Sequence, residues 1–122
     1  MLRKLKEAGI RLALVSNKAD FAVKSLAAKY FGGLLDIAVG EKEGIPRKPD
    51  PASVHEVLNA LSVKKEDAVY IGDSDVDILT AKNAGIDCIS VTWGFRDREF
   101  LMENGGRVFA DNASELFNKI TE

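Results

Sequence analysis

Three segments of this 122-residue chain carry residue types suited to phosphate chemistry: Leu12-Ala13-Leu14-Val15-Ser16-Asn17, Arg47-Lys48-Pro49-Asp50-Pro51 and Tyr70-Ile71-Gly72-Asp73-Ser74-Asp75-Val76-Asp77. Ser16 ends an apolar run, so its hydroxyl and the backbone N–H of Asn17 can face a phosphate oxygen past the end of a strand. Taken alone, a serine there is more often one that closes a strand or caps the helix near Asp20. Lys48 lies in a Lys-Pro-Asp-Pro stretch whose two prolines restrict the backbone. A fixed cation beside a phosphoryl group stabilises charge on the transferring oxygens. Loop lysines are usually solvated, and the flanking prolines lift this one above that background.

Asp73 follows Gly72 directly after an apolar run. It is a hard oxygen donor suited to Mg²⁺, which is commonly held by one or two carboxylates, waters and substrate phosphate. Asp77 falls one helical turn further on the same face, where it would orient metal waters or Lys48. Ser74 or Asp75 also reads as a helix cap, with Asp75 and Asp77 favouring the positive end of that helix. The two readings are compatible.

The remaining reactive residues carry less. His55, the single histidine, stands in a helical segment beside no other candidate ligand and reads as a surface helix position. Cys88 is the single cysteine and sits in the apolar run Ile86–Val91, so it forms no internal disulfide and packs as a small hydrophobe. Trp93-Gly94-Phe95-Arg96 follows a strand end. Arg96 there could touch an anionic substrate, while Trp93 and Phe95 read as aromatic packing of a loop. No Ser/His/Asp triad, Cys/His metal cluster or Walker loop is written in the chain.

Short β-rich runs alternate with segments of helical period, the pattern of a parallel α/β sheet. Strands are expected at Arg11–Ser16, Asp36–Val39, Ala68–Ile71, Cys88–Val91 and Arg107–Ala110. Val23, Leu26, Ala27 and Tyr30 fall at i, i+3, i+4, i+7, as do Val54, Val57, Leu58 and Leu61, and Ala113, Leu116, Phe117 and Ile120. Each set predicts one apolar helix face. Gly9 and Gly85 close helical segments, and Asp50-Pro51 reads as an N-cap followed by proline at the first helical position. Gly40–Pro49 is the least regular stretch and is expected to be a loop at a strand end, where such folds carry function.

A chain of this length forms one domain with a real core. Seventeen basic residues against 19 acidic give a net charge of −2. No basic block offers a nucleic-acid footprint, and no apolar run approaches the roughly 20 residues of a membrane span. The N-terminus lacks a signal-peptide pattern, so a cytoplasmic location is expected.

In order and spacing the three segments resemble motifs II, III and IV of the haloacid dehalogenase-like superfamily, closest to its phosphoglycolate phosphatase-like branch. The likeness runs from about Leu2 to Ile120. It implies a three-layer Rossmann-like fold with a mostly parallel sheet of about five strands. It also implies that Ser16, Asn17 and Lys48 bind a phosphorylated small molecule or a phosphate ion, Ser16 and Lys48 in catalytic roles, and that Asp73 ligates Mg²⁺ with Asp77 behind it. The family's nucleophile is an aspartate of an Asp-x-Asp motif on an earlier strand, yet no aspartate precedes Asp20. Asp73-Ser74-Asp75 is itself an Asp-x-Asp, but with the Ile78–Gly85 segment that follows it matches motif IV.

The resemblance therefore implies a shortened core, without the first strand or the helical cap, that is inactive or very weak alone. Direct pairing of the strands on either side of the missing one would give the order 2-1-3-4-5. An unfilled gap would leave strand edges open to homodimerisation. The alternative is a non-catalytic subunit or phosphate- and metal-binding module completed by a partner chain. A receiver-like module phosphorylated at Asp73 would need an acidic pair where this chain has Ser16-Asn17-Lys18.

Overall fold

The computed structural model describes residues 2–41 and 46–121. The chain divides into two compact units, Met1–Ser62 and Val63–Glu122.

The first unit contains helix α1 (Leu2–Glu7), strand β1 (Ala13–Ala19), helix α2 (Asp20–Phe31), strand β2 (Ile37–Glu41) and helix α3 (Ala52–Leu61). β1 and β2 pair in parallel, with Ala13, Leu14 and Val15 opposite Ile37, Ala38 and Val39. The register then slips: three residues lie between Val15 and Ala19 while one lies between their partners Val39 and Glu41. Ser16, Asn17 and Lys18 thus occupy a bulge that carries two extra residues, a device that re-aims side chains and ends regular pairing. Sequence periodicity ends the strand at Ser16 because the alternation stops there; the backbone runs extended through the bulge to Ala19.

Leu5, Leu12, Val23, Ala27, Val39, Val54 and Val57 form the buried apolar set of this unit. On α2 only half the predicted face is covered: Val23 and Ala27 are buried, while Leu26 and Tyr30 are exposed. Helix α3 begins one residue later than its sequence signal, with Pro51 as the cap, and the Asp50 carboxylate accepts from the Ala52 N–H at 2.9 Å. Of the expected Gly40–Pro49 loop, residues 42–45 lie outside the described residues and Gly40 and Glu41 belong to β2.

The second unit contains β3 (Val69–Gly72), α4 (Asp75–Ala84), β4 (Asp87–Val91), α5 (Arg98–Glu103), β5 (Val108–Ala110) and α6 (Ala113–Thr121). Its sheet is parallel in the order β3-β4-β5, with Val69 opposite Asp87 and Ile89 opposite Val108. Ile89, Val91, Ala110 and Leu116 form one buried cluster, and Ile78, Leu101 and Phe109 form another, against which Cys88 packs. Burial pushes the Cys88 thiol up to about 11, as expected of a small packed hydrophobe with no chemistry.

The fold is mixed α/β with parallel sheets, as expected, and has five strands among the described residues. Its strands nevertheless form separate ladders of two and three among the described residues, rather than one sheet of order 2-1-3-4-5. β1 pairs through β2 and β3 through β4, and no described ladder joins β1 to β3. Among the described residues, no helix is long and apolar enough to cross a membrane.

Two predictions follow from the first unit. Asp36 accepts from the Leu12 N–H at 2.7 Å and from Lys6 Nζ at 2.6 Å. The Lys6 hydrogen bond first, then the Leu12 amide, lowers its carboxyl below the ordinary 3.8. A depressed folded-state value means that this stabilisation is complete above 3.8 and fades as pH falls through and below it. Asp36→Ala should cost about 1–2 kcal/mol at neutral pH, with the gap to the native chain narrowing as the pH falls below 3.8, measured by urea unfolding across pH.

Gly40 faces the bulge, where a Cβ would lie 2.5 Å from the Lys18 carbonyl oxygen and 2.7 Å from Asp20 Cα. Gly40→Ala should therefore destabilise the chain by about 1–3 kcal/mol, as overpacking does. Gly33→Ala, with nothing within 4 Å of the new methyl, should stay within about 0.5 kcal/mol in the same measurement.

Candidate functional site

The candidate residues fall into two groups, one in each unit. In the first unit Ser16 and Asn17 lie in the β1 bulge and Lys48 lies in the turn before α3. The Ser16 hydroxyl accepts from the Lys18 N–H at 3.2 Å, which tightens the bulge locally. Asn17 reaches across to the turn: Lys48 N–H donates to Asn17 Oδ1 at 2.9 Å, and Asn17 Nδ2 donates to the Lys48 carbonyl at 3.4 Å. One side-chain amide thus satisfies both main-chain groups of Lys48, the second of them loosely.

The turn itself is closed by the Asp50 N–H donating to the Arg47 carbonyl at 3.0 Å, around a cis Lys48–Pro49 peptide. Lys48 is half-buried, and its neighbour Arg47 pairs at the surface with Glu41 at 3.4 Å. The expectation for Asn17 places its backbone N–H at a phosphate. What the structure adds is a task for its side chain: holding the lysine's backbone across 31 residues of sequence.

Below the bulge, Asp20 opens α2 and its Oδ1 accepts from the Gly40 N–H at 3.0 Å, while both its oxygens take Lys24 Nζ at 2.6–2.7 Å. These bonds tie the start of α2 to the end of β2. They hold the segment on which Ser16 and Asn17 sit.

In the second unit Asp73 and Asp77 sit on the loop and first turn after β3. Asp77 is 7% exposed, so its carboxylate needs donors in place of water. It finds the Asp73 N–H at 3.1 Å, the Ser74 hydroxyl at 3.1 Å and the Tyr70 hydroxyl at 3.2 Å. Burial first, and then the Asp77 charge, push the Tyr70 hydroxyl far above its ordinary 10.0, so it stays a neutral donor. Ser74 caps α4, its Oγ accepting from the Asp77 N–H at 3.3 Å. Of the two capping candidates, Ser74 does the work, and Asp75 lies in the first turn.

Asp73 is half-buried and held on three sides. Its N–H donates to Asp77, its carbonyl accepts from the Arg96 N–H at 3.1 Å, and its Oδ2 accepts from the Phe95 N–H at 3.1 Å. The loop after β4 therefore belongs to the surroundings of Asp73. Sequence reading misassigns its aromatics, because Trp93 and Phe95 are 52% and 74% exposed and do not pack inward. Phe95 instead lies against the Arg96 guanidinium. His55 is half-buried on α3, deeper than the surface position expected for it.

As a cation site, Asp73 offers a carboxylate oxygen at a strand end, a donor type that suits Mg²⁺. Among the described residues, no group of three or more acidic, histidine or cysteine side chains gathers to hold a metal. A divalent ion on Asp73 would keep most of its shell as water, which Mg²⁺ does readily.

Residues 1–91 match the model of the haloacid dehalogenase-like hydrolases. The chain is 37% identical over 116 residues to the phosphoglycolate phosphatase of Colwellia psychrerythraea, covering 94% of this chain and 51% of that protein. It is 31% identical over 121 residues to a provisionally assigned pyrophosphatase of Caldanaerobacter subterraneus, covering 98% and 55%. Among solved structures, that of a provisionally assigned phosphoglycolate phosphatase from Lactobacillus delbrueckii superposes with a TM-score of 0.96 at 44% identity, covering 98% of this chain and 50% of that one. The chain thus spans about half the length of the relatives it matches. With its motifs, fold and relatives in agreement, it belongs to the haloacid dehalogenase-like hydrolase family.

Proposed function

We propose that this chain is the core portion of a Mg²⁺-dependent phosphatase acting on a small phosphomonoester, of the phosphoglycolate phosphatase-like kind. Ser16 and Lys48 take the phosphoryl oxygens, Asp73 ligates the metal, and Asp77 orients Asp73. The observation that carries the reading is the Asn17 clamp on Lys48. A surface lysine needs no such support, whereas a cation that must meet a phosphoryl group gains from a fixed backbone.

In this reading Asn17 acts mainly through Lys48. A bound Mg²⁺ would supply Lewis-acid charge neutralisation. Lys48 supplies a positive charge to a phosphoryl oxygen, and the Ser16 hydroxyl donates a hydrogen bond in place of water. The 122 residues contain no aspartate before Asp20, so the chain alone has no counterpart of the family's nucleophile and turns over nothing or very little.

The test is hydrolysis of an aryl phosphate by the purified chain with and without Mg²⁺, beside Asp73→Asn. No turnover is expected. Mg²⁺-dependent turnover abolished in Asp73→Asn would mean that another carboxylate accepts the phosphoryl group, and would overturn the inactivity.

Binding is measured separately by titrating inorganic phosphate and following backbone amide resonances. Shifts are expected at Ser16, Asn17 and Lys48, and they should vanish in Lys48→Ala. Asn17→Ala should weaken binding about fivefold, the worth of roughly 1 kcal/mol of lost positioning hydrogen bonds. Phosphate shifts indifferent to Lys48→Ala would remove the basis of the assignment.

A further inference from the structure

Arg96 is placed in a way that the reading above does not use. Its guanidinium lies 4.5 Å from the centroids of two rings, Phe95 beside it and Phe100 on α5. Its Nε is shielded from solvent without a hydrogen-bond partner among the described residues and faces Asp75 Oδ1 at 4.0 Å. That separation is too long for a hydrogen bond, so the attraction is Coulombic. The cation therefore links the loop after β4 to the first turn of α4 and to α5. An arginine suits this task, since its planar head stacks on aromatic faces.

The same loop grips Asp73. The Phe95 and Arg96 amides donate to its Oδ2 and to its carbonyl. Gly94 leaves no room for a side chain, because a Cβ there would overlap the Asp73 carboxylate and its Cβ. Among the described residues Asp73 Oδ1 accepts no hydrogen bond, so one oxygen is committed to the loop and the other is left without a protein donor.

We propose that Arg96, held between Phe95 and Phe100 and beside Asp75, is a positioning residue that sets the Asp73 carboxylate for a divalent cation through the Phe95 and Arg96 amides. This rests on Asp73 being a metal ligand. Side chains that orient a ligand typically contribute 10–100-fold to metal affinity.

The test uses the 122-residue chain with Mn²⁺ as a paramagnetic stand-in for Mg²⁺, affinity being read from water-proton relaxation. Arg96→Ala and Gly94→Ala should each weaken Mn²⁺ binding about tenfold. Arg96→Lys, which keeps the charge and loses the planar stack, should recover part of the loss. Arg98→Ala serves as the control, because that guanidinium pairs with Asp111 and lies on Phe109, and it should bind as the native chain does.

A second readout needs no metal. The Phe95 amide should lose its protection from hydrogen exchange in both Asp73→Ala and Arg96→Ala, while amides in the middle of β4 keep theirs. Unchanged Mn²⁺ affinity in Arg96→Ala and Gly94→Ala, with binding abolished in Asp73→Asn, would overturn the role of Arg96 and leave Asp73 a ligand. Mn²⁺ binding that survives Asp73→Asn would instead overturn the reading of Asp73 itself.

Discussion

The Asp77 carboxylate is withdrawn from water, and a buried charge of that kind is tolerable only when donors replace the solvent. Everything around the end of β3 follows from meeting that demand. The Tyr70 hydroxyl comes from the strand, the Ser74 hydroxyl from the helix cap and the Asp73 N–H from the loop between them. Three consecutive pieces of chain are drawn onto one side chain, and the direction in which Asp73 leaves the strand is set by it. Removing a donor would leave part of a buried charge uncompensated, which costs more than the hydrogen bond itself contributes.

The first unit solves a similar problem with a neutral group. A bulge of two extra residues interrupts the β1–β2 ladder, and interrupted ladders leave main-chain groups to be satisfied elsewhere. Asp20 takes the Gly40 N–H, and Asn17 takes both main-chain groups of Lys48. An asparagine suits the second role because its amide is both donor and acceptor, so it can answer an N–H and a carbonyl at once. An aspartate in its place would accept the first bond and repel the second.

Much of this was legible in the residues, and the limits are physical. Helical period located α2, α3 and α6, and the Gly-Asp step after an apolar run located the end of β3. Periodicity reports which side chains share a face and says nothing of what covers that face, so it points Leu26 and Tyr30 at a core that does not reach them. A bulge has no period at all, which is why periodicity ends β1 at Ser16. The side-chain task of Asn17 depends on a turn 31 residues away, and no local pattern encodes it. Hydrophobicity alone points Trp93 and Phe95 to loop packing, whereas the exposed Phe95 ring lies against a cation. Short helix α5 has no clear sequence signature, because its signal, an Asp97 cap accepting from the Phe100 N–H, is diluted by charged residues on both sides.

One device recurs across both units. A side-chain oxygen at or just past the end of a parallel strand accepts a backbone N–H from another segment of the chain: Asn17 from Lys48, Asp20 from Gly40, Asp73 from Phe95. Each such bond constrains backbone and spends only part of the capacity of the polar group that makes it. The acidic and basic heads that could meet a ligand are thereby carried on main chain that is already fixed. Orienting them costs less entropy when the ligand arrives, since the ordering of the loops is paid for during folding. A site built in this way tolerates surface substitutions nearby, yet responds to changes at residues such as Asn17 and Gly94, whose contribution is to hold the neighbours of the reacting groups in place.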